Sequence, residues 1–279
     1  MKEKLIAALL FSVFSLSIAS AGGNTDKSAS AETGKKTELV VFAAASMTET
    51  LNEISGLYAK AAPNVKLVFN FDSSGTLKTQ IQQGADCDLF ISAGQRQVDQ
   101  LDITAPASVN TEKLDFILAS SRINLLENRV TLVVPKGNPK NIKNFYSMAQ
   151  AISQGQILLA MGNSDVPVGQ YTQSILKFFK LDEKALASSG RISYGSNVKE
   201  VTTQVSEASV DCGIIYCTDA FSAGLDIVDY ATTDMCGRVI YPAAVLKTGK
   251  NQEAAQAFLN YLSTREAMAV FEKAGFSKP

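Results

Sequence analysis

Ser46 and Glu49 stand three apart in ELVVFAAASMTETLNEI, residues 38–54, behind an apolar run and three alanines. The spacing predicts a capping box, in which the serine hydroxyl and the glutamate bond amides that a first helical turn leaves unpaired. Such a helix start also presents free N–H groups and the positive end of the helix dipole. Together these bind an oxyanion without needing a charged side chain. Three similar turns follow. Ser73 and Ser74 precede Gly75-Thr76, and Pro167 stands before Val168-Gly169, where proline suits a first helical turn. Asn197 precedes Val198 and lies three before Glu200, again a cap-like spacing. Tyr216, closing the run CGIIYC, adds a phenol that is a neutral donor near pH 7, unless it is simply a half-buried strand aromatic. Each turn alone is an ordinary helix start. Brought together, they would form an uncharged cage of amides, two hydroxyls and a phenol, suited to a fully ionised tetrahedral oxyanion, which only accepts hydrogen bonds.

Other chemistry has little to stand on. The chain contains no histidine, which excludes a Ser-His-Asp triad, a Cys-His pair and histidine metal ligation. No phosphate-binding loop or dinucleotide fingerprint is present. Ser74 and Lys78 are four apart, one too many for a Ser-x-x-Lys motif, and Asp86/Asp88 read as strand-start carboxylates.

The start MKEKLIAALLFSVFSLSIASA has charged residues, an apolar run and Ala19-Ser20-Ala21, the pattern of a secretory signal over 1–21 cleaved after Ala21. Residues 22–37 are small and polar and read as a flexible leader. With 26 basic and 27 acidic residues, the chain has no field for nucleic acid or anionic membranes. Losing the signal, with two lysines and one glutamate, leaves the charge near −2, so any bound anion must be held by local dipoles. The four cysteines, Cys87, Cys212, Cys217 and Cys236, lack zinc-site spacing. In an exported chain Cys217 and Cys236, which close a short loop between apolar strands, are the favoured disulfide.

To position these turns, strands alternate with helices. Strands are expected at 38–45, 65–71, 87–94, 129–137, 157–162, 191–196, 212–217 and 238–247, the last interrupted by Pro242. The fold class is therefore α/β with largely parallel sheets. QIQQGADCDLFIS (80–92) and QVSEASVDCGIIYC (204–217) echo one another through Asp86-Cys87 and Asp211-Cys212. Two similar lobes, with turns facing one another at the carboxyl ends of the strands, would place a small ligand in the cleft between them.

The segments AAASMTETL, FDSSGTLKTQIQQGADCDLFISAG, DVPVGQY, GIIYCTDA and VIYPAAV resemble the periplasmic molybdate-binding proteins of ABC importers, from about residue 38 to the C-terminal AVFEKAGF. The resemblance implies a two-lobed, type II solute-binding fold with the ligand in the interlobe cleft. It places lobe 1 at 38–128 plus 243–279 and lobe 2 at 129–242. It assigns Ser46 and Ser74 as hydroxyl donors, Val168 and Val198 as amide donors, and Tyr216 as the phenol, all to a molybdate or tungstate oxyanion. Val168 departs from the usual alanine, and Cys217 from the usual glycine beside the tyrosine. The implied partner is the membrane permease of an importer. The working unit would be a monomer that catalyses nothing and needs no cofactor. A receptor for sulfate or another tetrahedral anion is the same-class alternative, and an exported phosphate- or sulfate-ester hydrolase the alternative of a different class.

Overall fold

The computed structural model describes residues 36–279, so the signal reading over 1–21 and nearly all of the leader lie outside the described residues. Thr37, read as leader, is the first residue of a strand. The strands are β1 (Thr37–Ala44), β2 (Val65–Asp72), β3 (Leu89–Ile91), β4 (Ile123–Asn128), β5 (Val130–Val134), β6 (Leu159–Gly162), β7 (Ile192–Gly195), β8 (Cys212–Tyr216), β9 (Asp226–Tyr230) and β10 (Val239–Val245). The helices are α1 (Thr48–Ala61), α2 (Ser74–Gln82), α3 (Gln95–Asp99), α4 (Phe145–Ser153), α5 (Pro167–Phe178), α6 (Glu183–Ser188), α7 (Val198–Ser206), α8 (Cys217–Ala223), α9 (Thr233–Cys236), α10 (Gln252–Leu262) and α11 (Arg265–Lys273).

The strands form two five-stranded sheets, ordered β2-β1-β3-β10-β4 and β7-β6-β8-β5-β9. In each, three parallel strands are followed by an antiparallel pair of neighbours. The architecture is α/β with two mixed sheets, each carrying one lobe. β3 and β8 hold the same place in their sheets, which gives the internal echo a structural meaning, but its register differs from the Asp-Cys match. Asp88, not Asp86, corresponds to Asp211. Asp88 accepts the Val40 N–H at 2.9 Å and Asp211 the Leu158 N–H at 2.8 Å, each pinning its strand to the neighbour.

Apolar alternation accounts for most of the elements. β5, β8 and β10 are buried along their whole length, as strands covered on both faces should be. Pro242, lacking an N–H, is tolerated inside β10 because the register slips between Tyr241 and Pro242, where β10 passes β4. β10 pairs with β4 from Val239 onward, so the second crossing between lobes precedes Val239 rather than falling at 242/243. The strand's apolar run is continuous, and pairing begins as soon as Val239 reaches Asn128.

The chain passes between the sheets twice, side by side. Asn128 ends β4 and Val130 begins β5, while Ala231 donates its N–H to Val130 O and Val239 pairs with Asn128. Arg238 grips Glu127 with two hydrogen bonds, at 3.0 and 2.6 Å, and the Arg129 guanidinium lies 4.3 Å from the centre of the Tyr230 ring.

The favoured disulfide is absent. Cys217 and Cys236 are both free thiols. Cys217 starts α8, fully buried, and donates to Asn128 Oδ1 at 3.2 Å, on the lobe-crossing side. Cys236 lies in α9, which packs on α5. Closeness of their strands in sequence does not bring the two sulfurs together.

Candidate functional site

Ser46 is not a helix cap. Residues Ala45–Met47 form a 3-10 turn, α1 starts only at Thr48, and neither start has a side-chain cap. The expected capping box fails because both its members have other partners. The Ser46 hydroxyl lies 2.9 Å from the Tyr241 hydroxyl, and Glu49 reaches to Lys199 on the second lobe. The early turn is closed instead by the Thr48 hydroxyl, which donates to Ala45 O at 2.7 Å.

The other starts form as expected. The Ser73 hydroxyl accepts the Thr76 N–H, and Ser74 is the first residue of α2. Asn197 accepts the Glu200 N–H, and Glu200 in return accepts from Ser196 N and Oγ. That leaves Val198 as the first residue of α7, its N–H without an intrahelical partner. Pro167 opens α5, so the first N–H of that helix belongs to Val168.

These starts meet at one small cavity between the lobes, with a volume of ≈ 10 Å³. Ser46, Ser74 and Ala93 line it from the first lobe and Val166, Pro167, Val198 and Tyr216 from the second. Of the five expected site residues, Ser46, Ser74, Val198 and Tyr216 reach its wall. The Val168 side chain does not. It is wholly buried, and its neighbours Val166 and Pro167 form the wall instead, which leaves Val168 only its backbone to offer. Sites for drug-sized molecules measure about 300–1,000 Å³. This one is far smaller, with about the room of a single water molecule. A larger depression at the opposite ends of β1 and β3 is lined by Lys36, Glu38, Asp86, Asp88 and Lys250, whose mixed charges define no ligand.

The donor directions are set by the surrounding bonds. Ser74 Oγ accepts the Ala93 N–H at 2.9 Å, so its own proton is free for the cavity. The Tyr216 hydroxyl donates over a long 3.4 Å to Ala93 O and also interacts with the Tyr241 hydroxyl. Burial pushes Tyr216 and Tyr241 well above the usual phenol range, so both stay neutral. Among the described residues no cation lines the cavity, but the wall is not wholly uncharged: Asp72 borders it. Its Oδ1 accepts the Ser73 N–H at 2.7 Å, which draws the carboxylate back to its own turn. Sequence reading missed Asp72 although it adjoins Ser73, and missed Ala93 and Tyr241, whose bonds to the serines span 19 and 195 positions.

The lobes touch around this cavity. A Cβ placed on Gly75 would lie 2.1 Å from Asp165 O, so only a glycine lets α2 come this close to the second lobe. Lys199, the residue after Val198, holds both Glu49 carboxylate oxygens at 2.9 Å and lies 3.2 Å from Asp219 Oδ1. Asp219 is fully buried and neither of its oxygens gains a well-directed hydrogen bond. Burial pushes its carboxyl up to about 6, with Lys199 pulling the other way. Burial lowers Lys199, but the charges of Asp219 and Glu49 more than offset it, and its net shift is upward.

The model of the bacterial extracellular solute-binding proteins matches residues 39–277. An ABC transporter substrate-binding lipoprotein, YvgL, from Bacillus subtilis is 34% identical over 91% of this chain and 92% of its own. The molybdate-binding protein ModA of Escherichia coli is 32% identical over 96% of each chain. In fold, the periplasmic molybdate-binding protein of Azotobacter vinelandii superposes with a TM-score of 0.72 at 21% identity, covering 86% of this chain and 99% of that one.

Proposed function

This chain belongs to the bacterial extracellular solute-binding proteins, and we propose that it captures molybdate or tungstate outside the cytoplasm and delivers the ion to an ABC permease. The observation that carries this reading is the convergence of the Ser46, Ser74 and Tyr216 hydroxyls with the α5 and α7 starts on one small interlobe cavity whose lining holds no cation. Ser46 and Ser74 donate from the first lobe, and Tyr216 with the Val168 and Val198 amides donate from the second. The two relatives that carry transport or molybdate-binding names support the choice of ligand and partner.

The ligand donors come from both lobes, so the ion is fully satisfied only when the lobes are closed. A permease that recognises the closed form reads occupancy directly. In this reading the protein is a carrier without catalytic groups or cofactor, acts as a monomer, and is exported by the signal at 1–21. Lobe 1 then comprises Thr37 to Asn128 and the chain from Val239 onward, and lobe 2 the stretch between.

Calorimetric titration of the purified protein with molybdate, tungstate, sulfate and phosphate tests the reading. Tight binding of molybdate or tungstate is expected. Losing one hydrogen bond to a charged group costs about 1.5–3 kcal/mol, so Ser46→Ala and Ser74→Ala each weaken binding by roughly ten- to a hundredfold. Tight sulfate binding without molybdate binding overturns the choice of ion. Unchanged affinity in both variants overturns the site.

A further inference from the structure

The Ser46 hydroxyl is aimed from behind. Asn128 ends β4 with its Oδ1 accepting the Arg129 N–H at 2.8 Å. A backbone amide only donates, so this bond fixes which end of the Asn128 amide is oxygen and which is nitrogen. Asn128 Nδ2 then donates to Tyr241 Oη at 3.1 Å and to Thr218 Oγ1 at 3.0 Å. Tyr241 is fully buried, and an unpaired hydroxyl proton there would be costly. With its oxygen already accepting from Asn128, its proton has Ser46 Oγ as partner, 2.9 Å away. With the bond run in that direction, Ser46, 4% exposed, takes the proton on its oxygen and its own proton is left for the cavity.

We propose that Tyr241 is a positioning residue that orients the Ser46 hydroxyl as an obligate donor to the bound anion, with Asn128 setting the direction of the chain Asn128 Nδ2–H, Tyr241 Oη–H, Ser46 Oγ–H. The inference rests on the oxyanion reading of this site. Each bond in such a chain polarises the next and strengthens the final donor. Ser74 is set in the same sense by the Ala93 N–H, so both serines present protons rather than lone pairs. The arrangement favours a fully deprotonated tetrahedral ion over a protonated one, whose own O–H needs an acceptor.

A double-mutant cycle reads this directly, with sodium molybdate as the probe in calorimetry on the full mature chain. Tyr241→Phe keeps the ring and removes the proton that aims Ser46. Binding is expected to weaken by roughly three- to thirtyfold, the scale of one orienting hydrogen bond. In a Ser46→Ala background the same change is expected to cost less than twofold, because there is no hydroxyl left to aim. Equal losses in both backgrounds would show a purely structural role and overturn the inference, as would an unchanged affinity in Tyr241→Phe. If Tyr241→Phe does not fold, Asn128→Asp replaces the donor by an acceptor and reverses the chain. Its loss must likewise shrink in the Ser46→Ala background, and failure to shrink overturns the inference. A wild-type protein that binds neither molybdate nor sulfate in the same titration instead overturns the oxyanion reading, and the positioning role with it.

Discussion

Gly75→Ala separates folding from closure. Gly75 is the second residue of α2 on the first lobe, and Asp165 lies before α5 on the second. The added methyl would lie 2.1 Å from Asp165 O and 2.9 Å from Asp165 C, both backbone atoms that no rotamer change can clear. The seam must part by about 1 Å to restore ordinary contact distances. Overpacking of this kind costs about 1–3 kcal/mol. Only the closed form carries the clash, so the cost falls on binding, as roughly a five- to 150-fold rise in Kd. The helix itself gains, since alanine is a better helix former than glycine by about 1 kcal/mol. Thermal melts of the ligand-free protein should therefore show an unchanged or higher Tm, while calorimetry with molybdate shows the weakened Kd. Asp165→Ala should not restore affinity, because the obstacle is the carbonyl. A Gly75→Ala protein with wild-type affinity would refute the argument, showing that the liganded lobes do not meet along this seam.

The Lys199 bridge makes a milder contribution. Glu49→Gln removes a half-exposed ion pair between lobes, and such pairs contribute about 0.2–1 kcal/mol, so affinity should fall less than about sixfold, with the difference vanishing in high salt. A loss that persists in 1 M salt would contradict a screened surface pair. Asp219 gives a pH signature. Its carboxyl is raised from 3.8 to about 6 in the fold, so the unfolded chain ionises first and stability is lost as pH rises from about 4 through 6. Lys199 and Glu49 are the charged groups that face it, while Tyr216 and Tyr241 stay neutral. At about 1.4 kcal/mol per unit the loss is on the order of 3 kcal/mol by pH 7. Asp219→Asn should therefore gain Tm over wild type as pH rises from 4 to 7. Parallel pH curves for the two proteins would show that Asp219 does not titrate in this range.

Local chemistry made the helix starts readable. A serine or asparagine before an apolar stretch can cap only the turn that follows, and Ser73 and Asn197 do so. The same logic misled at Ser46, where one 3-10 turn delays the helix and Tyr241, 195 positions away, takes the hydroxyl. Edge strands were also opaque. β4 and β9 are only partly buried, so INLLEN and DIVDY carry little of the apolar alternation that marks a strand. The Glu49–Lys199 pair joins groups 150 positions apart, and no local pattern announces it. Partners set by a turn of their own were visible, and those set by long-range contacts were not, Tyr241 on Ser46 within the first lobe and Lys199 on Glu49 across the lobes.

The paired crossings at Asn128–Val130 and Ala231–Val239 have a consequence for how the lobes move. Two connections lying alongside and strapped together by Arg238 on Glu127 bend easily across their shared line but resist being wrung about it. The joint then behaves like a door on two pins rather than a ball in a socket. On such a hinge Gly75 would return to the same place against the Asp165 carbonyl, and Lys199 to Glu49. A permease of the kind proposed would then have one shut shape to recognise. Loosening the strap, as Arg238→Ala would, should leave the site's donors intact and blur that shape.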